Sequence, residues 1–274
     1  MCDNCGCGEG GHDTKITVAG KEHKNMHRHA DGSWHIHEHH HVHEHEPNHE
    51  HHHQESRLIE VEEDILSKNN RMAERNRGWF EAKKLLAFNL MSSPGSGKTS
   101  LLERTIKEKG KAIPFFVIEG DQQTLHDAER IDHAGAPAIQ INTGNGCHLD
   151  SAMIRSALDQ FTLKEQAILM IENVGNLVCP SLFDLGESKR IVIISTTEGD
   201  DKPAKYPTMF QSADLCIINK IDLLPYVDFD MGKAKEYARR LQPDIEFLEL
   251  SVRTGEGIDK WYDWLNRAMK TLTP

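Results

Sequence analysis

One stretch constrains this chain more than any other: an apolar run, Leu85–Met91, that leads straight into Ser92-Ser93-Pro94-Gly95-Ser96-Gly97-Lys98-Thr99-Ser100. With Ser92 in place of a first glycine, this is the pattern G-x-x-x-x-G-K-S/T, which joins a strand to a helix around a phosphate. The residue types follow from that task. Gly95 and Gly97 let the backbone curl so that its N–H groups face phosphate oxygens. The helix expected from about Gly97 to Lys109 adds the dipole of its N-terminus. Lys98 can reach the β- and γ-phosphates, and the Thr99 hydroxyl can ligate Mg²⁺. Ser93, Pro94, Ser96 and Ser100 belong to the same nucleotide-holding turn.

A strand feeding a phosphate loop implies a particular sheet. Further apolar runs occur at Ile113–Ile118, Ala138–Ile141, Ala167–Ile171, Ile191–Ser195, Leu215–Asn219 and Ile245–Leu250, with helical spacing between several of them. Continuous apolar strands alternating with helices predict an α/β fold, a mostly parallel sheet covered on both faces. Ahead of it, Leu58, Val61, Ile65, Leu66 and Met72 are spaced for an amphipathic helix over 58–80, packed on the domain that follows. The expected organisation is a Cys-rich module at 1–11, a His-rich segment at 12–56 and a P-loop domain with its leading helix at 57–274. The first 55 residues hold few large apolar side chains, too few to offset the entropy of ordering, so that segment is expected to be disordered without metal.

The base should be guanine. Asn219-Lys220-Ile221-Asp222 follows a buried strand and has the form N-K-x-D. In that motif the aspartate accepts hydrogen bonds from guanine N1 and the exocyclic amine. Adenine has no matching donor pair, so the carboxylate would stay unpaired against ATP. Ser251-Val252-Arg253-Thr254-Gly255 has the form of a loop that closes over the base. Glu172-Asn173-Val174-Gly175, at a strand end, has the acid-x-x-G form that senses a γ-phosphate through Gly175. Asp121, in Glu119-Gly120-Asp121, is expected in the loop after its strand as a Mg²⁺ or water-positioning group. Lys98, Thr99, Asp121 and Glu172 are the candidate catalytic set.

Metal chemistry is written over the rest. Cys2, Cys5 and Cys7 bring their thiols together within the first residues, which suits borderline and soft divalent ions. With the terminal amine they can form a planar nickel site, and a tetrahedral zinc site competes. All of the 18 histidines except His126, His133 and His148 fall between His12 and His53. The run His35–His45, interleaved with glutamates, reads as a store for imidazole-bound ions. Cys147-His148, ahead of an expected helix, and Cys179, seven residues after Glu172, make a third candidate set. Cys216 sits inside an apolar strand and reads as core.

The net charge of −11 and the lack of a basic stripe exclude a nucleic-acid partner and suit a chain that attracts cations. No run has signal-peptide or membrane-span length, so a cytoplasmic protein with reduced thiols is expected.

Taken together, the N-terminal CxxCGC, the histidine-rich segment, SSPGSGKTSLL, TGNGCHLD, IENVGNLVCP, TEGDDKPAKYP and NKIDLLP resemble the HypB family, nickel-inserting GTPases of nickel–iron hydrogenase assembly. That family falls in the SIMIBI class of P-loop proteins, in which nucleotide promotes dimerisation. The resemblance implies a homodimer, GTP hydrolysed to GDP with Mg²⁺, and Ni²⁺ handed towards the hydrogenase large subunit; few residues look poised to activate water, so low intrinsic turnover is expected. It implies a HypA-type nickel/zinc partner and, in some bacteria, SlyD. It also implies that Cys2, Cys5 and Cys7 form a high-affinity nickel motif, and that Cys147, His148 and Cys179 form a metal site for Ni²⁺ or Zn²⁺ in the GTPase domain. The alternatives are a urease-maturation GTPase, which the CxxCGC module disfavours, and a nickel or zinc storage protein, which an intact Lys98, Thr99 and Asp222 disfavour.

Overall fold

The computed structural model describes residues 15–18, 54–121, 126–144 and 146–272. Eight strands form one sheet: β1 (Lys15–Val18), β2 (Leu85–Ser92), β3 (Phe115–Asp121), β4 (Ala138–Asn142), β5 (Ala167–Glu172), β6 (Lys189–Ser195), β7 (Leu215–Asn219) and β8 (Glu246–Glu249). Their order is β1-β4-β3-β5-β2-β6-β7-β8. Every pairing is parallel except β1 on β4. The mostly parallel α/β sheet is therefore the one expected, with β2 at its centre between β5 and β6.

The continuous apolar strands have a physical cause: both faces are covered. Leu86, Phe88 and Leu90 of β2 point into one core, against α2 (Lys98–Lys109) and α9 (Ile258–Lys270). Leu85 and Ala87, one residue out of phase, point into the opposite core, beneath α1 (Gln54–Ala82) and α4 (Ser151–Leu158). A third cluster packs Met91 with Met209 and Phe210 of α7 (Pro207–Gln211) and Ala238 of α8 (Met231–Leu241).

Two departures from expectation bear on the site. The strand expected at Ile113 begins at Phe115, because Pro114 has no N–H to give to a ladder. It runs on to Asp121, which pairs with Asn142 of β4. Asp121 is thus a strand end rather than a loop residue. Within the segment expected to lack regular structure, Lys15–Val18 pairs antiparallel along β4, covering backbone groups that would otherwise form an open edge. Residues 54–56 open α1; the rest of 12–56 lies outside the described residues, as do Cys2, Cys5, Cys7 and the run His35–His45.

Helix α1 docks in a way that apolar spacing did not reveal. Ile65, Leu66 and Trp79 pack on the core below and Phe80 is buried in it, whereas Leu58 and Val61 are outside the described side chains. The centre of the contact is polar. Asn69 Nδ2 donates to Asp184 O at 2.7 Å, and its Oδ1 accepts from Ser151 N at 2.9 Å. Asn76 Nδ2 donates to Ser151 O at 2.8 Å and Leu185 O at 3.2 Å. The helix therefore grips the start of α4 and the turn Asp184–Gly186 by their backbones. Among the described residues, no helix is long and apolar enough to cross a membrane.

Gly186 is where that grip is tightest. Its φ is +87°, and a Cβ there would lie 2.5 Å from Ala73 O and 2.8 Å from Asn76 Cβ. Gly186→Ala is expected to destabilise the fold by about 3 kcal/mol through left-handed strain and displacement of α1. Urea unfolding reads this as a lower midpoint; an unchanged midpoint would contradict the docking described.

Candidate functional site

Because β2, β5 and β6 run parallel and adjacent, Ser92, Glu172 and Ser195 end side by side at one edge of the sheet. Sequence order reverses around β2, and the crevice outside the carboxyl ends of strands at such a point is where ligands settle in open α/β sheets. Two pockets of about 560 and 610 Å³ open there and share Gly97, Ser100 and Lys220.

The 560 Å³ pocket is the candidate phosphate end, lined by Pro94–Ser100. Ser92, where a first glycine was expected, is still extended strand and fully buried, so no glycine is needed. Its Oγ donates to Ser93 O at 2.7 Å and accepts from Lys98 Nζ at 3.0 Å, which draws the lysine back over the loop. Gly95 and Gly97 have φ of +76° and +102°. A Cβ on Gly97 would lie 2.4 Å from Asn219 Nδ2, so only glycine lets the two motifs meet. Ser93 is held from the far side by Glu198 and by Lys202, whose Nζ donates to Ser93 Oγ at 3.1 Å. Glu198 and Lys202 belong to TEGDDKPAKYP, to which sequence reasoning assigned no task.

The 610 Å³ pocket is the candidate base end, lined by Asn219, Lys220, Asp222, Ser251, Val252 and Arg253. Asn219 ties it to the loop: Nδ2 donates to Ser96 O at 2.8 Å and Oδ1 accepts from Val252 N at 3.1 Å. Lys220 has φ of +63° and donates through Nζ to Gly95 O at 2.7 Å. Asp222 Oδ1 is buried without a hydrogen-bond partner, an acceptor that asks for a donor from a ligand. Sequence reasoning missed Arg104, whose guanidinium donates to Val252 O at 2.6 Å and underlies Gly255.

Across the phosphate end stands an acidic cluster. Oxygens of Glu119, Asp127 and Glu172 lie within 4.8 Å of one another. Thr99 Oγ1 donates to Glu172 Oε1 at 2.7 Å and lies 3.3 Å from Asp127 Oδ2. Lys98 Nζ is 4.0 Å from Glu172 Oε1. The structure thus joins Glu119 and Asp127 to the expected Glu172, while Asp121 lines the same pocket outside the triad. Strand alternation held the signal for Glu119, which shares a face with Asp121 two residues on. Asp127, in the first turn of α3 (His126–Ala134), is tied to Arg130 at 2.7 Å. Burial, then repulsion from Glu172, Asp127 and Asp121, pushes the Glu119 carboxyl up to about 9. Burial also raises Glu172, against the pull of Lys98 and Thr99. Oε2 of Glu119 and of Glu172 are buried without hydrogen-bond partners. Crowded, orphaned carboxylate oxygens beside a threonine hydroxyl fit a hard divalent cation such as Mg²⁺.

Cys147, His148 and Cys179 also converge, with ligand atoms within 4.8 Å of one another. Cys147 Sγ is 3.7 Å from His148 Nδ1, and the imidazole stacks on Phe183 at 3.8 Å. Burial lowers the His148 pKa, which favours the neutral, ligating form. All three residues are partly exposed. Two thiols and an imidazole suit Ni²⁺ or Zn²⁺ and not Mg²⁺. Cys179 opens α5 (Cys179–Leu182), flanked by Val178 and Leu182 at 47% and 50% exposure. Cys216 lies in the core, its thiol pushed up to about 12 by burial.

A family model described as the CobW/HypB/UreG nucleotide-binding domain matches residues 86–249. Hydrogenase maturation factor HypB of Azotobacter vinelandii is 56% identical over 217 residues, covering 79% of this chain and 72% of that protein. The Escherichia coli K12 protein of the same name is 56% identical over 209 residues, 76% of this chain and 72% of its own. The solved structure of HypB from Helicobacter pylori in complex with nickel superposes with a TM-score of 0.71 at 39% identity, covering 74% of this chain and 96% of that one. HypB from Archaeoglobus fulgidus gives 0.70 at 42% identity, with 74% and 100% covered.

The acidic cluster has a pH signature. The folded pKa of Glu119, about 9, lies above the ordinary 4.5, so the folded chain keeps a proton that the unfolded chain releases. The resulting stability is fully present below 4.5 and is lost as pH rises through 9. Without divalent cations, Glu119→Gln is expected to flatten the fall in melting temperature across that window and to raise it at the alkaline end. A melting profile that matches wild type at every pH would contradict the cluster.

Proposed function

This chain belongs to the CobW/HypB/UreG family of nucleotide-binding GTPases and, within it, to the HypB group; on that premise we propose that it hydrolyses GTP to GDP while carrying Ni²⁺ towards the large subunit of a nickel–iron hydrogenase. The observation that carries the proposal is the meeting of three chemistries in one domain. A phosphate loop, a buried orphan acceptor at the base end and a thiolate–imidazole set all hang on neighbouring strand ends.

In this reading Gly95–Thr99 cradle the phosphates with backbone N–H groups, and the Lys98 ammonium meets their outer oxygens. Thr99, Glu172, Glu119 and Asp127 hold Mg²⁺, which supplies positive charge to the phosphates when bound. Asp222 accepts from guanine, and Ser251, Val252 and Arg253 close over the base. Intrinsic turnover is expected to be slow, since Glu172 is engaged by Thr99 and Asp127 by Arg130 rather than set to draw a proton from water.

Nickel is cargo here, and Zn²⁺ is its chemical competitor. Cys147, His148 and Cys179 are the proposed transfer site; Cys2, Cys5 and Cys7 are a tighter site, and the histidines of 12–56 a store. The apolar rim of Val178 and Leu182 supports a homodimer closed over the transfer site. Glu172–Gly175 and Cys179 share one segment, so the γ-phosphate is placed to bias a metal ligand. The remaining partners implied by the family are a HypA-type nickel/zinc chaperone and SlyD, and the setting is the cytoplasm.

The base assignment is tested by Asp222→Asn. An asparagine replaces one acceptor by a donor, which matches the C2 oxygen of xanthine in place of the guanine amine. GTP turnover is expected to fall about 100-fold at limiting substrate, while xanthosine triphosphate becomes the better substrate. ATP turnover equal to GTP turnover in the wild type would overturn the assignment.

A further inference from the structure

We propose that Asn173, Asn89, Glu187 and Arg190 form a buried polar relay that sets the spacing of the two metal-bearing segments and ties both to the nucleotide-facing end of β5. The relay rests on the metal-site reading above and names the residues that carry its coupling.

Strand β2 is buried along its whole length, and Asn89 interrupts it between Phe88 and Leu90 with no exposed surface. An amide there must find partners or cost the core dearly. Its Oδ1 accepts from Asn173 Nδ2 at 3.2 Å, and its Nδ2 donates to Glu187 Oε1 at 3.1 Å. Asn173 directly follows Glu172 in the cleft. Its Oδ1 accepts from Leu149 N at 3.3 Å, next to His148, and from Val174 N at 3.0 Å. Glu187 accepts from Leu185 N at 2.7 Å and from Arg190 Nε at 2.7 Å. Arg190 donates onward to Ser181 O at 3.1 Å and Phe183 O at 3.3 Å. Ser181 lies two residues after Cys179, and Phe183 carries the ring on which His148 stacks.

One end of the network thus holds the backbone beside His148, the other holds the backbone behind Cys179, and the middle begins beside Glu172. None of its side-chain nitrogen or oxygen atoms is among those left buried without a partner. A fully satisfied polar network is rigid and specifies a single arrangement. A core position such as 89 is filled more simply by an apolar side chain, since buried ionic and amide groups add little stability over well-packed apolar ones. The relay places stiff links between the two sites where an apolar core would slip. A shift of Glu172–Asn173 on a γ-phosphate therefore moves Leu149 and, through Asn89 and Glu187, the Ser181–Leu185 turn. Asn89, Glu187 and Arg190 are positioning residues: they touch neither nucleotide nor metal.

The test uses the full chain with Ni²⁺ as probe. Iodoacetamide labelling of Cys147 and Cys179, mapped by peptide mass spectrometry, is followed against Ni²⁺ concentration with GDP or with a non-hydrolysable GTP analogue. Buried Cys216 serves as an internal check that the fold is intact. In wild type the Ni²⁺ needed for half-protection is expected to differ about tenfold between the two nucleotides. In Arg190→Gln, and independently in Asn89→Ser, that ratio is expected to fall to about 2 or less, with affinity for the GTP analogue changed less than about twofold. Variants that keep the wild-type ratio overturn the relay and leave the metal site standing. A wild-type ratio near unity also overturns it. Loss of nucleotide binding in both variants overturns it too, since the network is then a support of the fold. No Ni²⁺ protection of Cys147 in wild type overturns the metal-site reading and the relay with it.

Discussion

Parallel pairing of β2 with β5 on one side and β6 on the other is the constraint from which the rest follows. Parallel strands need helices to return the chain, and those helices cover both faces, so the strands are largely apolar, with Asn89 and Gln140 as buried exceptions. The polar groups of the candidate site are then gathered at one edge, where the strands end. Ser92, Glu172 and Ser195 become neighbours there, although they are far apart in sequence. The phosphate loop continues β2, the turn that leads to Cys179 continues β5, and the stretch that holds Glu198 and Lys202 continues β6.

Glycine then decides how closely those continuations approach. Gly97 lies against the Asn219 amide at a distance that admits no Cβ, so the proposed phosphate loop and the proposed base motif are locked together. Gly186 plays the same part on the other side, where it lets α1 lie on the turn behind Cys179. The candidate nucleotide and metal ends are both built from close backbone contacts, and both are therefore poor at absorbing small displacements by local give.

Much of this was legible in the sequence because strong local patterns carry it. The phosphate loop has residue types at fixed offsets, and the apolar runs have the lengths of buried strands. Cys147 and His148 are adjacent, with Cys179 a short way beyond Glu172. What was not legible depends on side chains meeting across elements. Glu119 and Asp127 are ordinary acids until β3 and α3 bring them to Glu172. Asn89 breaks an apolar strand and looks like a blemish until Asn173 and Glu187 are placed on either side of it. Asn69 and Asn76 occupy the buried stripe of α1, where apolar spacing pointed only to Ile65, Leu66 and their neighbours. Arg104, Glu198 and Lys202 act on loops distant in sequence, and no periodicity announces them.

In the proposed function, nucleotide and metal are two ligands of one mechanical unit, and linkage makes their effects on each other equal. The most direct measurement is the affinity of the full chain for a non-hydrolysable GTP analogue, titrated with and without Ni²⁺, in wild type and in Cys147→Ser. Ni²⁺ is expected to shift the wild-type affinity by the same factor by which the nucleotide shifts the affinity for Ni²⁺, and Cys147→Ser to remove the shift. An affinity that is the same with and without Ni²⁺ would contradict it, leaving two independent sites on one sheet.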